Sequence, residues 1–238
     1  PRLEKLFRNW QPGEIPAKRI GEVSPKPGKV LYLVDKPGAE QSVIFAGQLI
    51  PPRATADDIA IEAMNDVLGG QFTARLNMNL REDKHWSYGA YSMAYDARGQ
   101  RPLLAYAAVQ SDKTAESLGE IRREITEIAS TRPASADEVA LVKRSNTLSL
   151  PGQWETGAAV LGSISKLVEF GLPDAYWASY ADAVRSLTPE QVNKAARDHL
   201  QPDNLLFVVV GDRKVIEPGL KALGFDSIQL VDTDGELL

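Results

Sequence analysis

The stretch NLREDKHWSYGAYS, residues 79–92, decides how this chain is read. Arg81, Glu82, Asp83, Lys84, His85, Trp86 and Tyr88 crowd charge and aromatic surface together just before an alternating run. In SYGAYSMAY, Tyr91, Met93 and Tyr95 fall on one side of an extended chain, and Tyr88, Ala90, Ser92 and Ala94 on the other. A solvated helix end leading into a half-buried strand accounts for this pattern. So does a pair of side chains, Arg81 and Tyr88, reaching into a cleft to hold a substrate. Arg81 offers five N–H donors in a fixed fork with a permanent charge, and Tyr88 a phenol donor that is neutral near pH 7. Small neighbours along the strand leave room for the phenol and a bound peptide, or for a closely packed helix.

Outward from this motif, DARGQR reads as a turn and PLLAYAAVQ as a returning strand, so 87–110 is predicted to be an antiparallel hairpin. Upstream, FTARLNMNLRED reads as a helix running into the motif. Before it, Ala60, Ala63, Met64, Val67 and Leu68 recur at helical spacing. Thr55 and Asp58 have the spacing of a capping box at that helix's start, and Gly69 and Gly70 suggest a positive-φ stop at its end. KVLYLVDK and QSVIFAGQLIPP read as two strands joined by KPGAE. Residues 1–28, with Pro12, Pro16, Pro25 and Pro27, read as a linker carrying a short helix near LEKLFRNW. Downstream, Leu118, Ile121, Ile125 and Ile128 mark a long helix, and Ser135 with Glu138 opens another. Helix is predicted over 155–187 with a break at Gly171 and Pro173, then again from Thr188, Pro189 and Gln191. NLLFVVVGD is a buried strand, followed by a helix near 214–223 and an irregular tail. Hairpins with helices grouped between them indicate an α+β fold, helices packed on one face of a mostly antiparallel sheet. After the linker, 29–238 forms a single domain. The edges of such a sheet are a natural place for an extended peptide to add as a further strand.

Composition narrows the chemistry. Apolar residues make up 43% and charged residues 25%, enough apolar surface for a sizeable core. A net charge of −5 without a basic stripe argues against nucleic acid as a partner, and no apolar run approaches a membrane span. The opening PRLEKLFRNWQPGE is too polar for a signal peptide and lacks an initiator Met, so a processed or excised piece of a longer protein is expected. Absence of cysteine removes disulfides, thiolate metal sites and cysteine nucleophiles, and fits any compartment, the bacterial periplasm included. The two histidines, His85 and His199, are remote in sequence, and no G-x-S-x-G elbow is present. His199 reads as a packed or helix-capping residue, His85 and Trp86 as a turn with Trp86 half-buried and secondary substrate contacts as the alternative, and Glu82 and Asp83 as solvated.

Taken together, VLGGQFTARLNMNLREDKHWSYGAYS, LEKLFRNWQPGEIP and HLQPDNLLFVVVGD resemble the M16 zinc metallopeptidases, the pitrilysin, insulysin and mitochondrial processing peptidase group. The likeness touches start, middle and end, and the middle motif is its most specific part. In that family one domain bears an inverted zinc motif, H-x-x-E-H, and a related domain closes over it. The resemblance implies that Arg81 and Tyr88 match the Arg–Tyr pair of the second domain, which holds the peptide substrate and supports the tetrahedral intermediate. No H-x-x-E-H occurs here. The chain therefore resembles the non-catalytic C-terminal domain or inactive subunit, inert alone and binding no cofactor, with zinc expected in a partner domain or subunit. Many family members have Gly where His85 stands, and His accepts positive φ less readily, which bears on the local backbone. A purely structural assembly subunit of the same fold is the alternative; a hydrolase using acidic residues is a third reading.

Overall fold

The computed structural model describes residues 1–24 and 28–238; Pro25 and Pro27 of the expected linker lie outside the described residues. The apolar alternating runs become strands β1 (Val30–Asp35), β2 (Gln41–Ile50), β3 (Ser87–Ala94), β4 (Arg101–Gln110), β5 (Leu206–Gly211) and β6 (Ser227–Val231). They form one mixed sheet in the order β3-β4-β2-β5-β1-β6. The β3–β4, β4–β2 and β2–β5 pairings are antiparallel, and β1 is parallel to both β5 and β6. The predicted hairpin over 87–110 is present. KPGAE, by contrast, does not join paired strands, because β5 inserts between β1 and β2. Alternation tells which side of a strand is buried but not which strand lies beside it. The tail read as irregular supplies β6, whose SIQLV is a short apolar run that finds its partner in β1.

Helix α1 (Arg2–Leu6) lies exposed in the N-terminal segment, and α2 (Asp58–Asn65), α3 (Arg75–Asn77), α4 (Thr114–Ile128), α5 (Ala136–Leu148), α6 (Gly157–Phe170), α7 (Tyr176–Ser186), α8 (Pro189–His199) and α9 (Arg213–Lys221) make up the other layer. The core lies between this layer and one sheet face. Leu31, Leu33, Ile44, Ala46, Ala90, Ala105, Ala107, Val109, Phe207 and Val209 meet Ile61, Met64, Leu118, Ile121, Ile125, Val192, Ala196 and Leu220, all buried. Full burial of each larger aliphatic contributes about 1.5–3 kcal/mol. The capping boxes predicted for α5 and α8 both form. Gly171 ends α6 in the left-handed conformation, at the predicted break.

Two helix-end expectations need correction. Thr55 and Asp58 do not cap α2; its N-cap residue is Asp57, without a side-chain cap bond. Asp58 is instead drawn into a buried ion cluster with Arg101 (2.5 Å) and Arg53 (3.0 Å), where Arg53 also donates to the Tyr176 hydroxyl at 3.1 Å. Gly69 and Gly70 do not adopt positive φ. They close a π-helical turn, Asp66–Gly70, that extends α2. A Cβ on Gly69 would overlap the backbone nitrogen of Ser92 and stand 2.6 Å from its hydroxyl, so glycine here permits helix–strand contact.

Among the described residues, much of the second sheet face is exposed. Phe45, Tyr91 and Tyr106 form a ladder of rings with centroids 5.2 and 4.8 Å apart, beside exposed Met93 and Tyr95. Burial first, then Tyr106 and Tyr95, raises the Tyr91 phenol above its ordinary value. A largely apolar cavity of about 410 Å³ continues this face past Val30, Gly47, Leu49, Leu104 and Leu206. Helix α6 buries no residue, and Leu161, Ile164 and Val168 form an exposed stripe along it. Neither sheet edge is fully free. The Ala90 amide on β3 donates to Asn77 Oδ1 (3.2 Å), and the C-terminal tail folds onto β6, with the Leu238 amide donating to the Leu230 carbonyl (3.0 Å). Among the described residues no helix is long and apolar enough to cross a membrane.

Candidate functional site

Arg81 stands near the end of a π-helical turn, Met78–Asp83, that continues α3. The expected helix therefore starts at Arg75 rather than Phe72 and widens at its C-terminal end. The widening has consequences along this segment: Asn79 and Leu80 are buried while Arg81 is 40% exposed. Its Nε lies 3.3 Å from Glu82, and its guanidinium sits 4.8 Å from the centroid of the Phe72 ring. Glu82 and Asp83 are exposed, as their adjacency implies.

A tight turn then reverses the chain. The Lys84 amide donates to the Asn79 carbonyl (3.0 Å) and the Trp86 amide to the Leu80 carbonyl (2.9 Å). Between them His85 has φ 56, the left-handed conformation that glycine adopts freely. Histidine is among the residues enriched there, and two contacts hold it: its amide donates to the Arg81 carbonyl at 3.2 Å, and its Nδ1 lies 3.0 Å from the same oxygen. The turn geometry that suits glycine is thus kept with histidine. Trp86 is half-buried against the core, with the Lys84 and Lys113 ammonium groups 5.3 and 6.0 Å from its ring centroid.

Tyr88 does not occupy the face that alternation assigned to it. Ala90 and Ser92 are buried under the helices, whereas Tyr88 is 88% exposed. The cause is a β-bulge: Ser87 pairs with Val109 but Ala90 with Ala107, so β3 carries one residue more than β4. The Ser87 hydroxyl lies 2.7 Å from the Ala108 carbonyl and 2.8 Å from that of Gly89, whose amide donates back to it at 3.1 Å. A Ser-x-Gly at the start of an alternating run was the available signal for this bulge. The small residues that follow accommodate the α2 extension rather than a peptide.

The structure thus leaves Arg81 and Tyr88 exposed on either side of one short turn, while the helix and strand bearing them are anchored in the core. Asn77 supports both sides and went unnoticed in the sequence. It is 4% exposed, and its amide donates to the Phe72 carbonyl (2.7 Å) while accepting from the Ala90 amide (3.2 Å). His85 has its Nδ1 against the Arg81 carbonyl, and His199 lies apart at the end of α8 with its Nε2 on the Asp57 carboxylate. Burial raises the Asp57 carboxyl, but the His199 hydrogen bond and charge outweigh it, so it titrates below its ordinary value. Among the described residues no group of three or more His, Asp or Glu is placed to hold a metal ion.

Comparison with known proteins places this geometry in context. Residues 2–146 match a family model described as the peptidase M16 inactive domain. No curated protein matches the chain. Among solved structures, a peptidase M16 inactive domain from Pseudomonas fluorescens is similar at TM-score 0.75 and 23% identity, over 82% of this chain and 46% of that one. A protease from Helicobacter pylori reaches TM-score 0.76 at 17% identity, over 87% of this chain and 50% of that one. The periplasmic protease PqqL from Escherichia coli gives 0.69 at 17%, over 88% of this chain and 24% of that one. At these identities the likeness shows the fold alone. The chain spans about half the length of the first two structures.

Proposed function

The chain belongs to the M16 peptidase family, matched by its inactive-domain model, and from that premise we propose that it is the zinc-free half of a peptidase. In this reading it closes over a zinc-bearing partner domain and holds the peptide substrate with Arg81 and Tyr88. The observation that carries it is that Arg81, 40% exposed, and Tyr88, 88% exposed, flank one turn whose two ends, Asn79–Leu80 and Ala90, are buried. The guanidinium fork would bind a peptide carbonyl or terminal carboxylate. The Tyr88 hydroxyl would donate to the oxygen that gains charge in the tetrahedral intermediate. Both are donors, matching the acceptor-rich backbone of a peptide. His85 and Trp86 would make secondary contacts at most, since His85 Nδ1 is turned to the Arg81 carbonyl and Trp86 is half-buried.

Zinc would belong to the partner, because this sequence carries no H-x-x-E-H. Pairing is supported by the open aromatic sheet face and the exposed stripe of α6, two surfaces that a second domain would cover. The periplasm, the compartment of one protease with this fold, is the compartment proposed for the pair. The test is peptide cleavage by the zinc-bearing domain with and without this chain. Addition of the wild-type chain is expected to raise cleavage, and R81A is expected to remove most of that gain. A tight complex with no gain in cleavage would instead favour a structural assembly subunit.

A further inference from the structure

We propose that Phe72 and Asn77 are positioning residues of the Arg81–Tyr88 site, an inference that rests on the function proposed above. Phe72 is 62% exposed, so core packing does not account for it. Its ring lies 4.8 Å from the Arg81 guanidinium, within the range at which a cation is drawn to an aromatic face. Apart from Glu82 on the adjacent position, this ring is the described contact of that guanidinium. A long, half-exposed arginine without such a platform samples many rotamers. The ring restricts it before substrate arrives.

Asn77 makes the restriction common to both donors. Its buried amide fixes the carbonyl of Phe72 on one side and the amide of Ala90, two residues beyond Tyr88, on the other. The same residue therefore sets the loop that carries the ring and the strand at the bulge that extrudes the phenol. The short turn through His85 links Arg81 to Tyr88 along the chain, and Asn77 links them across it.

Two measurements test this. The first is 15N relaxation of the Arg81 Nε–H group in the isolated chain. The group is expected to be ordered in the wild type and in F72Y, which keeps the ring, and mobile in F72L. N77D retains an acceptor for Ala90 but loses the donor to Phe72, and is expected to resemble F72L. The second is peptide cleavage by the reassembled pair. F72L is expected to lower kcat/KM about fivefold, the size of an exposed cation–π contact, with F72Y near wild type and no further loss when F72L is added to R81A. Because Phe72 is exposed, F72L leaves the fold intact. Unchanged Arg81 order in F72L would overturn the role of the ring, and unchanged order in N77D that of Asn77. If R81A impairs cleavage while F72L does not, the proposed function stands and the positioning role falls. If R81A has no effect, the proposed function fails and takes the positioning role with it.

Discussion

His85 shows how much one residue can conceal. From sequence, a histidine at a turn that many family members make with glycine suggests an altered backbone. In the structure the backbone keeps φ 56, held by two contacts to the Arg81 carbonyl. Left-handed conformation at a non-glycine residue costs about 1–2 kcal/mol, and the Nδ1 contact offsets part of it. H85G is therefore expected to stabilise the chain by about 0.5 kcal/mol in a denaturant titration; a clear loss would mean that the imidazole contact outweighs the strain. Tyr88 illustrates the opposite case. Its exposure was legible only as one of two options, because a period-2 pattern groups it with Ala90 and Ser92, which the structure buries. The bulge at Ser87–Ala90 reverses that assignment, and bulges leave only weak traces in composition.

The elements that fill the core were legible because their apolar residues repeat at a fixed period: α4, α8 and β4 lie where spacing placed them. Ends were less so. Thr55 and Asp58 had the right spacing for a cap, yet burial with Arg53 and Arg101 took Asp58 away from it. Gly69 looked like a helix stop but serves contact with Ser92. G69A is expected to cost about 1–3 kcal/mol, since neither the α2 extension nor β3 can retreat without opening the core; denaturant unfolding with an unchanged midpoint would refute the contact. At the start of α5, burial raises the Glu138 carboxyl, but Arg75 and the Ser135 amide more than offset this and hold it at about 2. A carboxyl held below its ordinary 4.5 contributes stability that is complete above about pH 4.5 and fades as the pH falls toward about 2. E138Q is expected to lower stability at pH 7 and flatten its fall across that window. An acid limb as steep as wild type would show that this pair does not matter to acid unfolding.

At the scale of the whole molecule, one-sided packing was legible and strand order was not. Helices on one face follow from hairpins and clustered helical runs, whereas the insertion of β5 between β1 and β2, and β6 from the tail, depend on pairings between residues remote in sequence. What the arrangement leaves uncovered bears on function: an open aromatic sheet face and the α6 stripe of Leu161, Ile164 and Val168. L161D with I164D is expected to leave the isolated chain's thermal midpoint nearly unchanged, since neither side chain is buried, yet to weaken association with a zinc-bearing partner at least tenfold. Undiminished association would remove α6 from the proposed interface. The most direct measurement of the central claim is single-turnover cleavage of a peptide by the reassembled pair carrying Y88F. A fall in rate of about 100-fold with peptide affinity nearly unchanged is expected, as for loss of one donor to a developing oxyanion; a rate equal to wild type would contradict the role given to this phenol.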